Sequence, residues 1–152
     1  MKIHCLGGGL VGLFVTRRLV ASGLDVHLFD VVERETDAIF HLGDALSMDH
    51  SGADLVINML PGSLGNKATE LLKDTGQKIV DLSFSEITPD HLESVSSSIL
   101  WDVGIAPGLS NMLVSMAVRE YGELDSVTIK VGGNPSVPDS EWSYICLLYT
   151  SP

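Results

Sequence analysis

Three glycines, Gly7, Gly9 and Gly12, stand in G-x-G-x-x-G spacing between a short apolar run, Lys2 to Leu6, and a helical pattern that opens at Leu10-Val11. Each glycine suits one demand of a turn that cradles a dinucleotide pyrophosphate. Gly7 permits a tight strand-to-helix turn, Gly9 lets backbone approach the phosphates, and Gly12 lets the helix pack closely on the strand. The free N–H groups and positive dipole end of the helix would then face the anion. Asp30 lies 18 residues beyond Gly12, at the end of the next apolar run. A carboxylate there accepts hydrogen bonds from an adenosine ribose and repels a 2′-phosphate, which favours NAD over NADP. Arg34 stands close enough to soften that preference, so NADP remains possible, and a plain solvated turn is the competing reading of Asp30.

Further candidates fall where other apolar runs end. Asp44-Ala45 would meet the adenine, or form an ordinary loop. Leu60-Pro61-Gly62 would line the pyrophosphate and nicotinamide ribose, or only punctuate a helix start. Ser83, after Asp81-Leu82, would reach the nicotinamide or serve as a turn or cap residue. Asp102 faces the same crevice, either as a buried cap or as a catalytic group, and catalytic residues stay unassigned. His4, His27, His41, His50 and His91 are scattered without metal-ligand spacing, as are Cys5 and Cys146, so no metal is expected. Cys5 reads as a small buried hydrophobe.

The elements needed to position these residues alternate. Strands are expected at Lys2–Leu6, Asp25–Phe29, Ile39–Leu42, Leu55–Leu60, Lys78–Leu82 and Ile99–Val103. Helices are expected at Leu10–Ser22, Leu64–Thr75 and Leu109–Tyr121, with shorter ones at Glu33–Ala38 and Pro89–Val95. In the first helix Leu10, Leu13, Phe14, Leu19 and Val20 recur at helical spacing, opposite Arg17 and Arg18. The Leu55–Leu60 run, interrupted only by Asn58, suits a strand buried on both faces. This order predicts an α/β fold, a Rossmann-type, doubly wound, mostly parallel sheet. Past Gly104 the pattern changes: Val127, Ile129 and Val131 alternate with Ser126, Thr128 and Lys130, as in a half-buried antiparallel strand. Residues 1–104 therefore read as a NAD(P)-binding domain and 105–145 as the truncated start of a second α/β substrate domain.

The 152 residues suffice for a domain with a core, and 45% hydrophobic against 19% charged residues is a globular balance. The net charge of −11 argues against nucleic acid or an anionic membrane as a partner. The absence of an apolar run of about 18 residues predicts no membrane span, and an N-terminus that begins on a strand suggests the cytoplasm.

Asp102-Val103-Gly104-Ile105-Ala106-Pro107-Gly108-Leu109-Ser110-Asn111 resembles the saccharopine dehydrogenase family, nearest its lysine 6-dehydrogenase-like or saccharopine reductase-like branch. Gly7–Gly12, Leu60-Pro61-Gly62 with Leu64-Gly65, Val80–Phe84 and Val131–Pro135 carry the resemblance further, over about residues 1–145. It implies NAD(P)-linked oxidation of the amine carbon of lysine or a lysine-derived amino acid, with hydride passing to nicotinamide C4. It also implies a full-length homodimer with a C-terminal substrate domain. Cys146–Pro152 departs from the family pattern and reads as a non-native tail, or else as a divergent native terminus. Two other functions share the glycine turn: a regulatory NAD(H)-binding module of the kind found on potassium channels, and a non-catalytic family member.

Overall fold

A computed structural model of the chain describes residues 1–83 and 92–130. The chain divides into two compact units, Met1–Gly104 and Ile105–Pro152. In the first, six strands form one sheet: β1 (Lys2–Leu6), β2 (Asp25–Asp30), β3 (Ile39–Leu42), β4 (Leu55–Asn58), β5 (Lys78–Asp81) and β6 (Ser98–Leu100). Their order is β3-β2-β1-β4-β5-β6, and every neighbouring pair is parallel. This is the doubly wound Rossmann arrangement, with the direction of winding reversing between β1 and β4.

The two faces of the sheet are filled differently. Helix α1 (Leu10–Ala21) covers one, where Ile3, Cys5, Val26, Leu28 and Ile57 pack under Leu13, Val15, Leu19 and Val20. Burial pushes the Cys5 thiol up to about 11, which makes it an inert packing atom group. Helix α2 (Gly62–Leu72) covers part of the other face, with Ala68 and Leu72 on Leu6, Val56 and Ile79. The β3-to-β4 connection, residues 43–54, crosses that same face with only a 3₁₀ turn, Ala45–Ser47.

Several elements depart from the expectation, each for a local reason. In α1 the buried line runs through Gly12 and Thr16, while Leu10 is 78% and Phe14 66% exposed. The two small residues let the backbone approach the sheet, which turns the larger apolar ones outward. Glu33–Ala38 forms no helix: Asp30 and Thr36 accept the Val32 and Ala38 N–H groups in local turns. β4 and β5 end at Asn58 and Asp81, earlier than expected, because these side chains turn inward to bond other backbone and side chains. β6 is Ser98–Leu100, ending before Val103. α2 begins at Gly62, with Pro61 at its cap, and ends at Leu72, so its expected span is shifted towards the N-terminus. The helix expected at Pro89–Val95 lies outside the described residues up to position 91, and 92–95 is irregular.

In the second unit, α3 (Leu109–Tyr121) follows Gly108, whose N–H donates to Asn111 Oδ1 at 3.1 Å. Gly122, at φ +84°, closes the helix by donating to the Val118 carbonyl. None of the α3 residues is buried. The strand expected from Leu124 onward is not formed over 124–130, and Val127 and Ile129 are exposed. Alternation alone does not make a strand without a neighbour to complete its ladder. Val131 and the rest of the segment to 152, including the expected tail, lie outside the described residues.

Gly65, on α2, lies against the end of β5: a Cβ there would overlap Ser83 Cβ. Gly65→Ala is therefore expected to destabilise the first unit by about 1–3 kcal/mol. Urea denaturation followed by circular dichroism measures this, and an unchanged midpoint would show that α2 can move off the strand freely.

Candidate functional site

The carboxyl ends of the parallel strands lie along one edge of the sheet, and the chain's turns collect there. β1 ends as Gly7 N–H donates to Phe29 O at 2.9 Å, and Met59 N–H donates to Leu6 O at 2.9 Å. The glycine turn is thus tied to β2 on one side and β4 on the other, at the point where the winding reverses. Ligands of open α/β sheets bind in this crevice.

Gly7 has φ +95°, which L side chains rarely adopt, and a Cβ there would stand 3.0 Å from Met59 O. A Cβ on Gly12 would overlap the Gly7 carbonyl, so only glycine lets α1 sit this close to the turn. Gly9 is different. It caps α1 with extended backbone, and a Cβ there would meet nothing within 4 Å. The space beside Gly9 is open, and it lies at the helix N-terminus.

The first helical hydrogen bond of α1 runs from Leu13 N–H to Gly9 O at 2.8 Å. Helix geometry therefore leaves the N–H groups of Leu10, Val11 and Gly12 without a partner inside the helix. No side chain caps this end, and no acidic residue lies in its first turn. α2 starts at the same edge in the same state: Pro61 is its cap, without a side-chain bond or a nearby acid. Leu64 and Gly65 donate to Pro61 O, and Leu60 N–H donates to Asn58 Oδ1 at 3.3 Å.

Asp30 is not a solvated turn residue, since its side chain is only 10% exposed. Oδ2 accepts the Gly8 N–H at 2.6 Å, and Oδ1 accepts the Val32 N–H at 2.8 Å. Arg34 Nε lies 3.5 Å from Oδ2 in an ion pair. The carboxylate thus pins the glycine turn to the end of β2, and each oxygen keeps capacity for another donor, such as a ribose hydroxyl. The sequence reading missed Gly8, whose missing Cβ leaves room for Arg34 Cγ and Asp30 Oδ2, each 2.9 Å from where it would stand.

The other candidates divide. Asp44 is exposed and caps the 3₁₀ turn, accepting the Leu46 N–H at 3.0 Å. Ala45 is core, and its carbonyl is taken by His50 Nε2. Ser83 is buried, and its hydroxyl and N–H both donate to Asp81 Oδ1, at 2.5 and 2.7 Å. Toward any ligand the Ser83 hydroxyl can only accept. Asp81 is 1% exposed and also accepts from Thr69 Oγ1 at 2.7 Å, while Asn58 Nδ2 donates to Gly65 O at 2.9 Å. This buried polar network, which the sequence reading did not assemble, fixes the ends of β4 and β5 relative to α2. Its sequence signal was the pair of polar residues, Asn58 and Asp81, each closing an apolar run. Asp102 follows β6 at φ +56°, half-buried, and Val103 N–H donates to Asp81 O at 3.1 Å.

The donor set fits a dinucleotide: an uncapped helix start, open space beside Gly9, and a carboxylate already seated on the turn. Among the described residues no group of three or more His, Cys, Asp or Glu could hold a metal ion. No helix there is long and apolar enough to cross a membrane.

No family model matches the chain. Among solved structures it is similar to an NADPH-dependent glyoxylate/hydroxypyruvate reductase of Sinorhizobium meliloti in complex with citrate. That match has 18% identity and a TM-score of 0.44, over 80% of this chain and 51% of the other. A second such reductase from the same organism, in complex with NADP and sulfate, matches at 13% identity and a TM-score of 0.39, over 82% of this chain and 54% of the other. The chain spans about half the length of these structures.

The turn separates folding from binding by position. Gly9→Ala should leave the unfolding midpoint nearly unchanged, a cost of at most about 1 kcal/mol at an N-cap, yet weaken NADH binding by tenfold or more. Gly12→Ala should lower the midpoint itself. Fluorescence titration with NADH beside thermal melts reads both. Equal behaviour of the two variants would sink this division of roles.

Proposed function

We propose that the chain is the cofactor-binding part of an NAD(P)-dependent oxidoreductase, with NAD the preferred dinucleotide. The observation that carries this reading is the open space beside Gly9 at the uncapped start of α1, with Asp30 clamped on the adjoining Gly8 amide. The N–H groups of Leu10, Val11 and Gly12 would hold the pyrophosphate, and Asp30 a ribose. Leu60-Pro61-Gly62 and the start of α2 would line the path to the nicotinamide, with Asp44-Ala45 near the adenine. When bound, the nicotinamide supplies hydride transfer. What these residues contribute is orientation and charge complementarity.

The substrate class we propose is the amine of lysine or of a lysine-derived amino acid such as saccharopine. Its support is the resemblance of Asp102–Asn111 and the accompanying stretches to the saccharopine dehydrogenase family. A homodimer in the cytoplasm, with its substrate domain beyond the first unit, belongs to the same proposal. A regulatory NAD(H)-binding module would share the turn and Asp30 but not the Ala106–Asn111 segment.

Cofactor choice should rest on the charge of Asp30 more than on its hydrogen bonds. Asp30→Asn removes the charge facing a 2′-phosphate and keeps one acceptor oxygen, for either the Gly8 or the Val32 N–H; any loosening of the turn that follows weakens both dinucleotides alike. The ratio of NAD to NADP affinity is expected to fall about tenfold, equivalent to about 1.4 kcal/mol. An unchanged ratio by calorimetric titration would place the discrimination elsewhere. For the substrate, a chain extended through its second domain and supplied with NAD should raise the reduced-nicotinamide absorbance with lysine or saccharopine. Turnover of glyoxylate or hydroxypyruvate in place of the amines would overturn the amine assignment.

A further inference from the structure

Four imidazoles gather on the face of the sheet that α2 leaves uncovered. Register pairs His4 with His27 and Phe29 with His41, so one face of β1, β2 and β3 carries three of the imidazoles together with Phe29. His50, from the 43–54 crossover, reaches onto them: its ring centroid lies 4.7 Å from that of Phe29 and 5.3 Å from that of His4.

Hydrogen bonding fixes where the protons are. His50 Nε2 lies 2.7 Å from the Ala45 carbonyl, which can only accept, so Nε2 carries the hydrogen. In a neutral ring His50 Nδ1 is then a lone pair, and His4 Nδ1, at 3.0 Å, must donate to it. His4 Nε2 is left as a lone pair, buried and without a partner among the described residues. An added proton has no good place here. On His4 it would sit at buried Nε2 with no acceptor. On His50 it would set two N–H groups against each other across 3.0 Å.

The surrounding charges reinforce this. From β1, Lys2 faces the cluster, and from β2 and β3, His27 and His41 do. His27 Nδ1 and His41 Nε2 lie 2.8 Å apart, and His27 Nε2 is 3.4 Å from Asp25 Oδ1. The His4 ring is 5.3 Å from that of His27. Burial first, then His27, Lys2 and His50, hold His41 below its ordinary value. On the crossover, Asp49 adjoins His50 but bonds Ser51 through both oxygens. Burial first, then His50, His27, Lys2 and His41, hold His4 down at about 4.

The crossover contains no α-helix; Ala45 and Ala53 anchor it in the core beside Ala68 and Leu72 of α2, and Leu46 and Met48 pack against them. A pocket of about 240 Å³, lined by Ala45, Met48, Leu71, Leu72, Thr75 and Gln77 among others, leaves the rest of its face towards α2 unfilled. Gln77 Nε2 donates to the carbonyls of His50 and Ala53 at 2.5 and 2.9 Å, and Asp54 Oδ2 accepts the Lys2 N–H at 2.7 Å.

We propose that the His4–His50 pair is an acid-released latch: neutral imidazoles hold the 43–54 crossover on the sheet, and protonation frees it. The sign follows from His4. Its folded value lies below the ordinary 6.5, so the stabilisation present above pH 6.5 is lost as pH falls from 6.5 toward 4. Release also moves Asp44 and Ala45, so dinucleotide affinity should fall in the same window; this second consequence rests on the proposed function.

Hydrogen exchange of the whole chain without dinucleotide tests the latch itself. After correction for intrinsic rates, the opening constant of amides within 45–53 should rise roughly 40-fold between pH 6.5 and 4.5. At each pH these amides should open at a lower free-energy cost than those of Val56 and Ile79, which await global unfolding. His4→Asn, which keeps a donor near the Nδ1 position and cannot titrate, should flatten the profile. Should that variant not fold, the imidazole C–H resonances of His4 in the natural chain decide the matter, because their titration must coincide with the opening. No rise, opening of 45–53 only at the same cost as Val56 and Ile79, or His4 titration apart from the opening would each overturn the latch. Because no dinucleotide is present, failure of the cofactor assignment would leave this result intact.

Discussion

Between the Gly7 carbonyl and the Cα of Gly12 there is room for a hydrogen atom and nothing larger. That constraint sets how far α1 can descend onto the end of β1. The descent presents the unpartnered amides of Leu10 and Val11 at the sheet edge, and it turns Leu10 and Phe14 outward while Gly12 and Thr16 go in. Asp30 completes the arrangement by tying the turn to β2 through Gly8, and Met59 ties it to β4. The unpartnered amides at the turn are therefore a product of packing: the same close approach that seats the helix leaves its first N–H groups at the sheet edge.

A second constraint governs the opposite side of the crevice. Asn58 and Asp81 end their strands with side chains turned into the protein, where Thr69, Gly65 and Ser83 satisfy them. A buried carboxylate is tolerated only where donors meet its oxygens, and here two hydroxyls and a backbone N–H do so. This network fixes the position from which α2 starts, and so fixes the second uncapped helix end beside the first. The glycine turn and the polar network together make the crevice, although they share no residue.

Much of this was legible in the chain. The glycine spacing, the β-α-β order and the acid at Asp30 carry local signals, and local signals survive folding. β1, β3 and α3 stand where hydrophobic periodicity puts them. What escaped depended on pairing. Strand ends at Asn58 and Asp81 are decided by partners elsewhere in the chain, and the alternation at 126–130 has no neighbouring strand among the described residues. The histidines looked scattered because His4, His27 and His41 are neighbours only across the sheet, in a register that no single stretch displays, and His50 reaches them from the crossover. The position of Asp30 was legible, but its clamp on Gly8 was not, since a turn amide gives no sequence signal of its partner.

The central claim is that one crevice, between the turn at Gly7–Gly12 and the start of α2, receives a dinucleotide. The most direct measurement is a residue-by-residue map of backbone amide resonances during titration with NADH. Shifts concentrated at residues 8–12, 30–32 and 60–63, with β6 and α3 unmoved, are the expected result. Saturating NADH that leaves the amides of Gly8, Leu10 and Val11 in place would contradict the account.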